Sequence, residues 1–475
     1  MKQIKRLGVA LLSLIAVAST QAADVNVTAN ITTDTVWTAD NVYILTQIIY
    51  IEPGASLTIL PGTLIRGVPS PAGEFNPGAL VVSRGAKLYA NGTPTNPIVM
   101  TSQFDLPLGD LPYGVMDRET KGLWGGLIVL GNAPTNLQPG SGNRFVEGLP
   151  ENALSEFGGT DPDDSSGSIS YLSILHGGAK IAADNEINGL TLAGVGRGTC
   201  IHHVEIYANL DDGVEWFGGT VNMKYVIVAF PGDDGFDTDY GWNGSVQFGL
   251  LLQSSKKDNG DKGSEQDGGK DSDGDLPFGI AKFYNMTLIG DGFASDDGGT
   301  KAAIWRDNCA NSWYNSIFTD FSGAAWQFED RDGKEDSFNR ITGGDLVLAN
   351  NIVGIFGGGS TWAELVSVDD DDDAHVDLAA QRDVVLPILA AGGNEIVNPL
   401  IGNINRDRLQ LLDPRPAAPE VLTGLTVIDE RDPFFKAVGY KGAFDPAAAI
   451  GETWMHGWSA LYNLGHTARP AVQVP

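Results

Sequence analysis

Short apolar runs alternate with glycine-containing turns along most of this chain. From Val42 the sequence reads Val-Tyr-Ile-Leu-Thr-Gln-Ile-Ile-Tyr-Ile and then turns at Pro53-Gly54, and the next apolar run ends at Pro61-Gly62. Runs rich in β-branched residues that are interrupted by such turns predict strands, not helices. The 61 glycines among 475 residues fit a fold with many tight turns.

The middle of the chain repeats this pattern with a regular period. The phrase Asp-Asp-Gly-Val-Glu that begins at Asp211 returns as Asp-Asp-Gly-Phe-Asp from Asp233. Apolar strands around Ile206, Ile227 and Leu250 recur at nearly the same spacing. A period in the low twenties predicts an all-β solenoid, a parallel β-helix in which each repeat forms one coil. A leucine-rich repeat is excluded, because its regular Leu-x-x-Leu-x-Leu frame is absent.

We predict that the β-helix occupies residues 23–410 and that two insertions interrupt it. The first, near 253–276, is polar and is expected to form a surface loop. The second, near 365–393, begins with aspartates and continues with alanines and leucines, which predict a short helix. Residues 411–475 are rich in aromatic side chains, and we expect this C-terminal segment to cap an open end of the solenoid.

Several phrases resemble a family of exported bacterial β-helix proteins whose functions are largely uncharacterised. The matching phrases are Gly54-Ala-Ser-Leu-Thr-Ile-Leu-Pro-Gly-Thr-Leu-Ile, Arg84-Gly-Ala-Lys-Leu, Asn96-Pro-Ile-Val, Trp124-Gly-Gly-Leu and Gly442-Ala-Phe, together with Gly213 and its acidic neighbours. The resemblance implies a right-handed, pectate-lyase-like β-helix. It implies no particular activity.

The N-terminus and the charge limit the cellular context. Residues 1–22 have a basic start, an apolar run from Leu7 to Ala18 and small residues before a cut after Ala22, which is typical of a secretory signal peptide. The apolar run is too short to span a bilayer, so we expect a protein that is secreted, periplasmic or on the cell surface and does not span a membrane. The net charge of −30 excludes nucleic acid as a partner and favours cations.

Repeated acidic turns place carboxylates one above another. Neighbouring rungs of a β-helix are ~4.8 Å apart, and at an effective dielectric near 20 two like charges at that distance repel by about 3 to 4 kcal/mol. Calcium would relieve this repulsion, because its oxygen ligands can lie up to roughly 4.8 Å apart across the ion. The predicted cofactor is therefore Ca²⁺. The predicted ligands are Asp211, Asp212, Glu215, Asp233, Asp234, Asp237 and Asp239, with Glu265 and Asp267 nearby and with Asp258, Asp296 and Asp297 as a continuation of the column.

Two other interpretations of the same aspartates stay open. They can be turn formers, since aspartate bonds its own backbone and the following glycine takes a positive φ. They can also be catalytic, with Asp233 and Asp234 as the acid and base of a polysaccharide hydrolase beside His176. A lyase would need calcium and a basic residue such as Arg306 or Lys224, although either could simply pair with the many acids. The Asp271-Ser-Asp-Gly-Asp loop resembles a calcium loop but fails the EF-hand frame.

The remaining candidates are aromatic side chains, histidines and thiols. Trp216 and Trp242 follow the two acidic turns and could stack on sugars, or they could fill the core. His202 and His203 are expected on opposite faces of a strand. Cys200 and Cys309 lie about four rungs apart, roughly 19 Å, so we expect two free, buried thiols.

These features together predict an exported, calcium-stabilised β-helix with a binding or structural role, directed towards polysaccharide or a cell-surface glycan. The alternative is a polysaccharide lyase or glycoside hydrolase that acts along the acidic edge.

Overall fold

The computed structural model describes residues 22–469 except 72–75, 138–144, 182–185, 258, 270–273, 297–298, 332–334, 371–376 and 429–432. Of the predicted signal peptide only Ala22 is therefore included. Within this part of the chain, the strands form two long parallel sheets and one short antiparallel hairpin, Pro107–Leu108 and Leu111–Gly114.

One long sheet contains ten parallel strands, each contributed by a successive coil. In chain order they are Ile48–Ile51, Ala79–Val82, Leu127–Leu130, Leu190–Ala193, Val214–Phe217, Phe236–Asp239, Ser264–Asp267, Ala303–Arg306, Trp326–Glu329 and Val366–Asp369. Every pairing along this sheet joins one coil to the next.

The other long sheet contains eighteen strands, and a coil supplies to it either one strand or two shorter ones. They are Ala23–Val27, Thr35–Trp37, Asn41–Leu45, Ser56–Ile59, Leu64–Gly67, Lys87–Asn91, Ile98–Ser102, Gly167–Leu175, Cys200–Tyr207, Asn222–Ala229, Ser245–Leu252, Lys282–Tyr284, Thr287–Ile289, Ser312–Tyr314, Ile317–Thr319, Leu348–Ala349, Ile352–Val353 and Glu395–Ile396. The two sheets wind together into a right-handed parallel β-helix with three faces, as predicted.

The eighteen-stranded sheet bends sharply at one residue in each central coil. These residues, which we call the bend column, have left-handed φ values between 50° and 63° and are Tyr171, His203, Tyr225, Phe248, Asn285, Asn315 and Asn350. The first four rings stack with centroid separations of 4.4, 4.4 and 5.0 Å. Asparagine adopts this conformation more readily than most residues, whereas the aromatic residues gain ring stacking in return.

The register confirms the predicted repeat and corrects one alignment. Glu215 of the first acidic phrase pairs with Asp237, its equivalent in the second. Ile206 pairs with Val228, not with Ile227, which lies opposite Glu205. Because side chains alternate along a strand, that difference of a single position decides which of these side chains enters the core.

Inward-facing side chains form one continuous core along the helix. In the central coils Leu190, Val214 and Phe236 lie inside, and six fully buried tryptophans are distributed along its length. These tryptophans are Trp124, Trp216, Trp242, Trp305, Trp313 and Trp326.

Both predicted insertions contain strands of the β-helix. The first is not wholly a surface loop, because Ser264–Asp267 is a strand of the ten-stranded sheet. The second begins later than predicted, since Val366–Asp369 is the last strand of that sheet. The predicted short helix is present at Leu378–Ala391, where Asp377 accepts a hydrogen bond from the backbone N–H of Ala380 at 3.0 Å.

Three helices, and not the C-terminal segment, cover the end of the solenoid that follows its last coils. Helices α1 (Ser337–Gly343), α2 (Trp362–Leu365) and α3 (Leu378–Ala391) bury apolar side chains in the same core cluster as the inward-facing strand residues. Helix α3 packs on the last strand of the ten-stranded sheet.

The C-terminal segment lies along the outside of the eighteen-stranded sheet, contrary to the prediction that it caps an end. It includes a 3₁₀ turn at Pro419–Leu422 and helix α4 at Ala460–Asn463. Its Phe444, Trp458 and Leu461 cluster with outward-facing Tyr207 and Ile227 of the sheet. The segment therefore buries an apolar flank that would otherwise face solvent.

Both cysteines are free, as predicted. Cys309 is buried, and burial raises the pKa of its thiol. Cys200 is exposed, contrary to expectation, because it begins the strand Cys200–Tyr207 with its side chain directed outward. No helix in the described ranges has the length and apolar character needed to cross a membrane.

Candidate functional site

The acidic residues of the repeat lie on the outer surface of the ten-stranded sheet. Glu215, Asp237 and Glu265 occupy directly paired positions on three successive strands. Their neighbours along the chain, such as Val214 and Trp216, point into the core. Strand alternation thus separates an acidic outer column from an apolar inner one.

The same outer column is apolar in the earlier coils. There it carries residues such as Tyr50, Val81 and Ile128, which are covered by Val146 and Phe157 of a neighbouring loop. The change from apolar to acidic side chains marks the position at which a cavity separates this face of the sheet from the loop that contains Val146.

Aspartates of the preceding turns connect the coils through hydrogen bonds. Asp212 Oδ1 accepts from the backbone N–H of Asp234 at 2.8 Å, and Asp234 Oδ1 accepts from that of Lys262 at 2.6 Å. This arrangement supports the turn-forming interpretation for one oxygen of each aspartate. Both aspartates also line a cavity on this face of the sheet.

The third rung of this ladder is Asp261-Lys262-Gly263. The backbone N–H of Asp261 donates to the Asp233 carbonyl oxygen at 3.1 Å. Asp258 and Asp297 were predicted to continue the column, but both lie outside the described residues, as does Asp271 of the calcium-like loop. Asp261 was not predicted, because inserted residues place it farther along the chain from Asp233 than the regular repeat would.

Carboxylates from separate parts of the chain surround one cavity of about 250 Å³. Its lining residues are Glu147, Glu186, Asp211, Asp212, Asp233, Asp234, Asp237 and Glu265. A second cavity of about 390 Å³ continues along the sheet past Glu215, Asp239 and Asp267 to Arg306. We call the two together the acidic groove. Glu147 and Glu186 were missed by the sequence analysis, since they come from loops that do not share the repeat.

Three groups of carboxylates in or beside the groove each bring their oxygens within 4.8 Å of one another. They are Asp211 with Asp212 and Asp233, Asp212 with Glu215 and Asp237, and Asp233 with Asp234 and Asp261. Calcium binds oxygens at about 2.3–2.6 Å, so two oxygens on one ion lie no more than about 5 Å apart. The donor type and the spacing both fit this ion.

The groups resist ionisation in the absence of a cation. Burial, together with neighbouring acids, raises the pKa values of Asp212, Glu215 and Asp237 well above the usual range. The same causes raise the pKa of Asp211 to about 7. Glu215 accepts a hydrogen bond from the Asn188 amide, whereas Asp237 Oδ1 is buried and has no hydrogen-bond partner among the described residues. An unpartnered carboxylate oxygen of this kind is suited to a cation.

Positive side chains close one end of the groove. Lys262 Nζ lies 3.1 Å from Glu265 and 3.7 Å from Asp234, and Arg306 lies 2.9 Å from Glu265 and 2.8 Å from Asp267. Burial alone would lower the pKa of each, but the carboxylates outweigh it and raise both pKa values. A residue that holds its proton this firmly is a poor general base, which argues against the predicted lyase role of Arg306.

His176, also predicted as catalytic, does not reach the groove. His176 is fully buried, and its Nδ1 lies 2.6 Å from the carbonyl oxygen of Thr120. It is not among the described residues that line either cavity of the groove. Asp233 and Asp234 do lie in the groove. The predicted hydrolase pair is therefore present, but the histidine that was predicted to act with it is not beside it.

The predicted sugar-stacking tryptophans are core residues. Trp216 and Trp242 are 0% exposed, and their rings stack at 4.6 Å inside the helix. Of the two alternatives, core filling is therefore the correct one and sugar stacking is wrong. Trp216 directly follows outward-facing Glu215, and alternation sends adjacent strand residues to opposite faces.

The histidine pair also departs from the prediction. His202 and His203 do not point to opposite faces, since their Nδ1 atoms are 2.9 Å apart. His203 belongs to the bend column, where its positive φ interrupts strand alternation.

Comparison with protein families matches residues 29–353 to the model of a pectate-lyase-like β-helix domain. The match extends from the first coil to the strand Ile352–Val353 and includes the whole acidic groove. No curated protein matches the chain.

Proposed function

Because the chain belongs to the pectate-lyase-like β-helix family, we propose that it is an exported, non-enzymatic β-helix protein whose acidic groove binds and is stabilised by calcium. One observation carries the proposal: Asp212, Glu215 and Asp237 bring three buried or half-buried carboxylates within 4.8 Å of one another. Within the described part of the chain, no ion pair joins a lysine or arginine to any of these three, so a bound cation is the simplest source of compensating charge.

The position of the cluster suggests how it would serve binding. The three residues come from two successive coils, so one ion joins adjacent rungs of the helix. The groove opens outward, and calcium usually takes 6–8 oxygen ligands, more than three carboxylates supply when each gives one oxygen. We propose that hydroxyl or carboxylate oxygens of a polysaccharide complete the coordination when the protein meets its ligand.

Two observations weigh against polysaccharide cleavage. Lys262 and Arg306 are held in ion pairs that favour their protonated forms. His176 is fully buried and is not among the described residues that line the groove. The binding role requires neither a free base nor a nucleophile, and therefore fits these side chains better.

Calorimetric titration of chelator-treated protein with calcium tests the proposal. We expect stoichiometric binding by the native chain, and at least tenfold weaker binding by the double variant Glu215→Gln/Asp237→Asn. Asp383→Asn is a matched control, because Asp383 is an exposed acid on helix α3 that pairs with Arg382. Native protein that takes up no calcium, or a double variant that binds like the control, would show that the groove is not a calcium site.

Incubation with acidic and neutral polysaccharides then separates binding from catalysis. Calcium-dependent retention of a polysaccharide without new reducing ends or unsaturated products supports the binding role. The appearance of such products, lost in Asp234→Asn, would instead establish the enzymatic alternative.

A further inference from the structure

A second cavity lies on a different surface of the helix, away from the acidic groove. Its volume is about 600 Å³, within the range of about 300–1,000 Å³ typical of small-molecule sites. It follows the outer side of the strands Cys200–Tyr207 and Asn222–Ala229, where Cys200 pairs with Asn222 and His202 with Lys224. We call it the histidine cavity. The described residues that line it are Arg197, Gly198, Thr199, Cys200, Ile201, His202, His203, Asn222, Lys224, Tyr225, Pro433 and Phe434.

The charge of this lining is opposite to that of the protein. The chain contains 60 acidic and 30 basic residues, yet the cavity is lined by Arg197 and Lys224 and by no Asp or Glu among the described residues. Asp163 pairs with Arg197 at 3.0 Å, but its side chain is 76% exposed and lies outside the lining. Such an exposed pair is weak, so a ligand anion could compete for Arg197.

Aromatic rings form the apolar part of the cavity. Tyr225 belongs to the stacked bend column, where its ring lies 4.4 Å from that of His203. Phe434 approaches from the C-terminal segment, and Lys224 Nζ lies 4.4 Å from its ring centroid and donates to its carbonyl oxygen. A cation held against an aromatic surface can recognise a ligand that combines an anionic group with a flat apolar body.

The histidine pair adds directional hydrogen bonding. Burial lowers the pKa of both rings, that of His203 to about 3, so both are neutral at pH 7. Since their Nδ1 atoms share one hydrogen bond, one ring carries its proton on Nδ1 and the other on Nε2. The pair therefore offers one Nε2–H donor and one Nε2 acceptor.

We propose that the histidine cavity binds a small aromatic carboxylate. Lys224 and Arg197 supply the positive field for the carboxylate, the rings of Tyr225 and Phe434 contact the aromatic body, and the histidine pair orients a polar substituent. This site is independent of calcium and of the proposed function of the acidic groove, because none of its lining residues lies in that groove.

Benzoate is a suitable probe, because it carries one carboxylate on one ring. Titration followed by ligand-observed NMR or calorimetry should give a dissociation constant of roughly 1 mM or tighter. Benzamide, which lacks the charge, and acetate, which lacks the ring, should each bind at least tenfold more weakly. Equal binding of benzamide would show that the anion is not recognised, and absence of benzoate binding would overturn the proposal.

Two lysine variants and the reactivity of Cys200 test whether benzoate binds in this cavity. Lys224→Met keeps the apolar stem of the side chain and should weaken benzoate binding at least fivefold. Lys282→Met is the matched control, since Lys282 is an exposed lysine on a strand of the same sheet but outside the cavity. Benzoate should also slow alkylation of Cys200, because this thiol lines the cavity. Cys309 is buried in the native protein, so the reaction reports on Cys200. Unchanged alkylation, or equal binding by both lysine variants, would place the probe elsewhere.

Should Lys224→Met fail to fold, as judged from its thermal melt, Phe434→Ala provides the second test. It removes one aromatic wall, including the ring that Lys224 contacts, leaves the residues of the paired strands unchanged, and should also weaken benzoate binding. If this variant binds benzoate as tightly as the native protein, the Phe434 ring does not contact the ligand.

Discussion

Glu215 and Asp237 lie directly opposite each other on neighbouring parallel strands, and both carboxylates face the acidic groove. Two acids at this spacing repel when both are ionised, and burial adds to the cost of each charge. The raised pKa values of both residues express that cost. We therefore expect the stability of the fold to depend on protons and cations at this groove.

Stability of the calcium-free protein should decrease as pH rises. The folded-state pKa of Asp211 is about 7, and those of Asp212, Glu215 and Asp237 are raised well above their usual values. Groups with raised folded pKa values bind more protons in the native state, so their contribution is complete below about pH 4 and is lost as pH rises through the folded pKa. Thermal melts in chelator between pH 5 and pH 7.5 should show a decrease on the order of a few degrees.

Saturating calcium should remove that decrease, because the ion replaces the protons as compensating charge. The double variant Glu215→Gln/Asp237→Asn should have a shallower dependence on pH even in chelator. A native protein whose melting temperature stays constant in chelator across this range would contradict the electrostatic account.

Much of the fold could be predicted from the sequence, because the fold is periodic. The spacing between the phrases at Asp211 and Asp233 is the register of the sheet itself. The strand Ser264–Asp267 was missed because its sequence contains no apolar residue. Its outward-facing side chains are polar, and the two inward-facing ones, Ser264 and Gln266, are polar as well. The position of the C-terminal segment was predicted wrongly. Its aromatic composition indicates that it packs against another part of the protein, but it does not indicate which surface.

The candidate site was predictable only where it follows the repeat. Asp212, Glu215 and Asp237 lie together as expected. Glu147 and Glu186 reach the groove from loops whose position depends on the folding of other coils, and no local pattern encodes that. The alternation argument, applied to Glu215 and Trp216, would have placed the tryptophan inside from the sequence alone.

Replacement of Trp216 should affect folding and not glycan binding. The side chain is 0% exposed and stacks on Trp242, so Trp216→Ala leaves a large cavity and should reduce the free energy of unfolding by about 3–5 kcal/mol. Trp216→Phe should cost less, because it keeps most of the ring contact. Denaturant titration measures both, and an alanine variant of native stability would show that the ring is not in the core.

Glu205 should hold the C-terminal segment against the sheet. Its carboxylate accepts hydrogen bonds from the backbone N–H groups of Ala460 and Leu461 and from the Ser173 hydroxyl. Glu205→Gln places an amide N–H₂ where an acceptor is needed, which should cost about 1–3 kcal/mol. Faster amide hydrogen exchange in helix α4 is the expected readout.

Ser173→Ala removes one of those three hydrogen bonds and serves as the graded control. Its cost should be about 0.5–1.5 kcal/mol. If exchange in helix α4 is the same in the native chain and in Glu205→Gln, the carboxylate does not anchor the segment.

Thiol counting should distinguish the two cysteines. Native protein should react with one equivalent of a thiol reagent, because Cys200 is exposed and Cys309 is buried. Unfolded protein without reductant should react with two, since neither cysteine is in a disulfide. Reaction of Cys309 at the same rate as Cys200 in the native state would mean that its coil opens readily.

The bend column limits where this protein can lengthen its coils. The chain is much longer between Phe248 and Asn285 than between His203 and Tyr225, yet each of these central coils turns this corner at a single residue with positive φ. In the central coils the additional length is therefore accommodated at the other two corners, one of which carries the acidic turns. Mutation can change the loops around the groove, and with them the ligand, while the stacked column preserves the register of the scaffold.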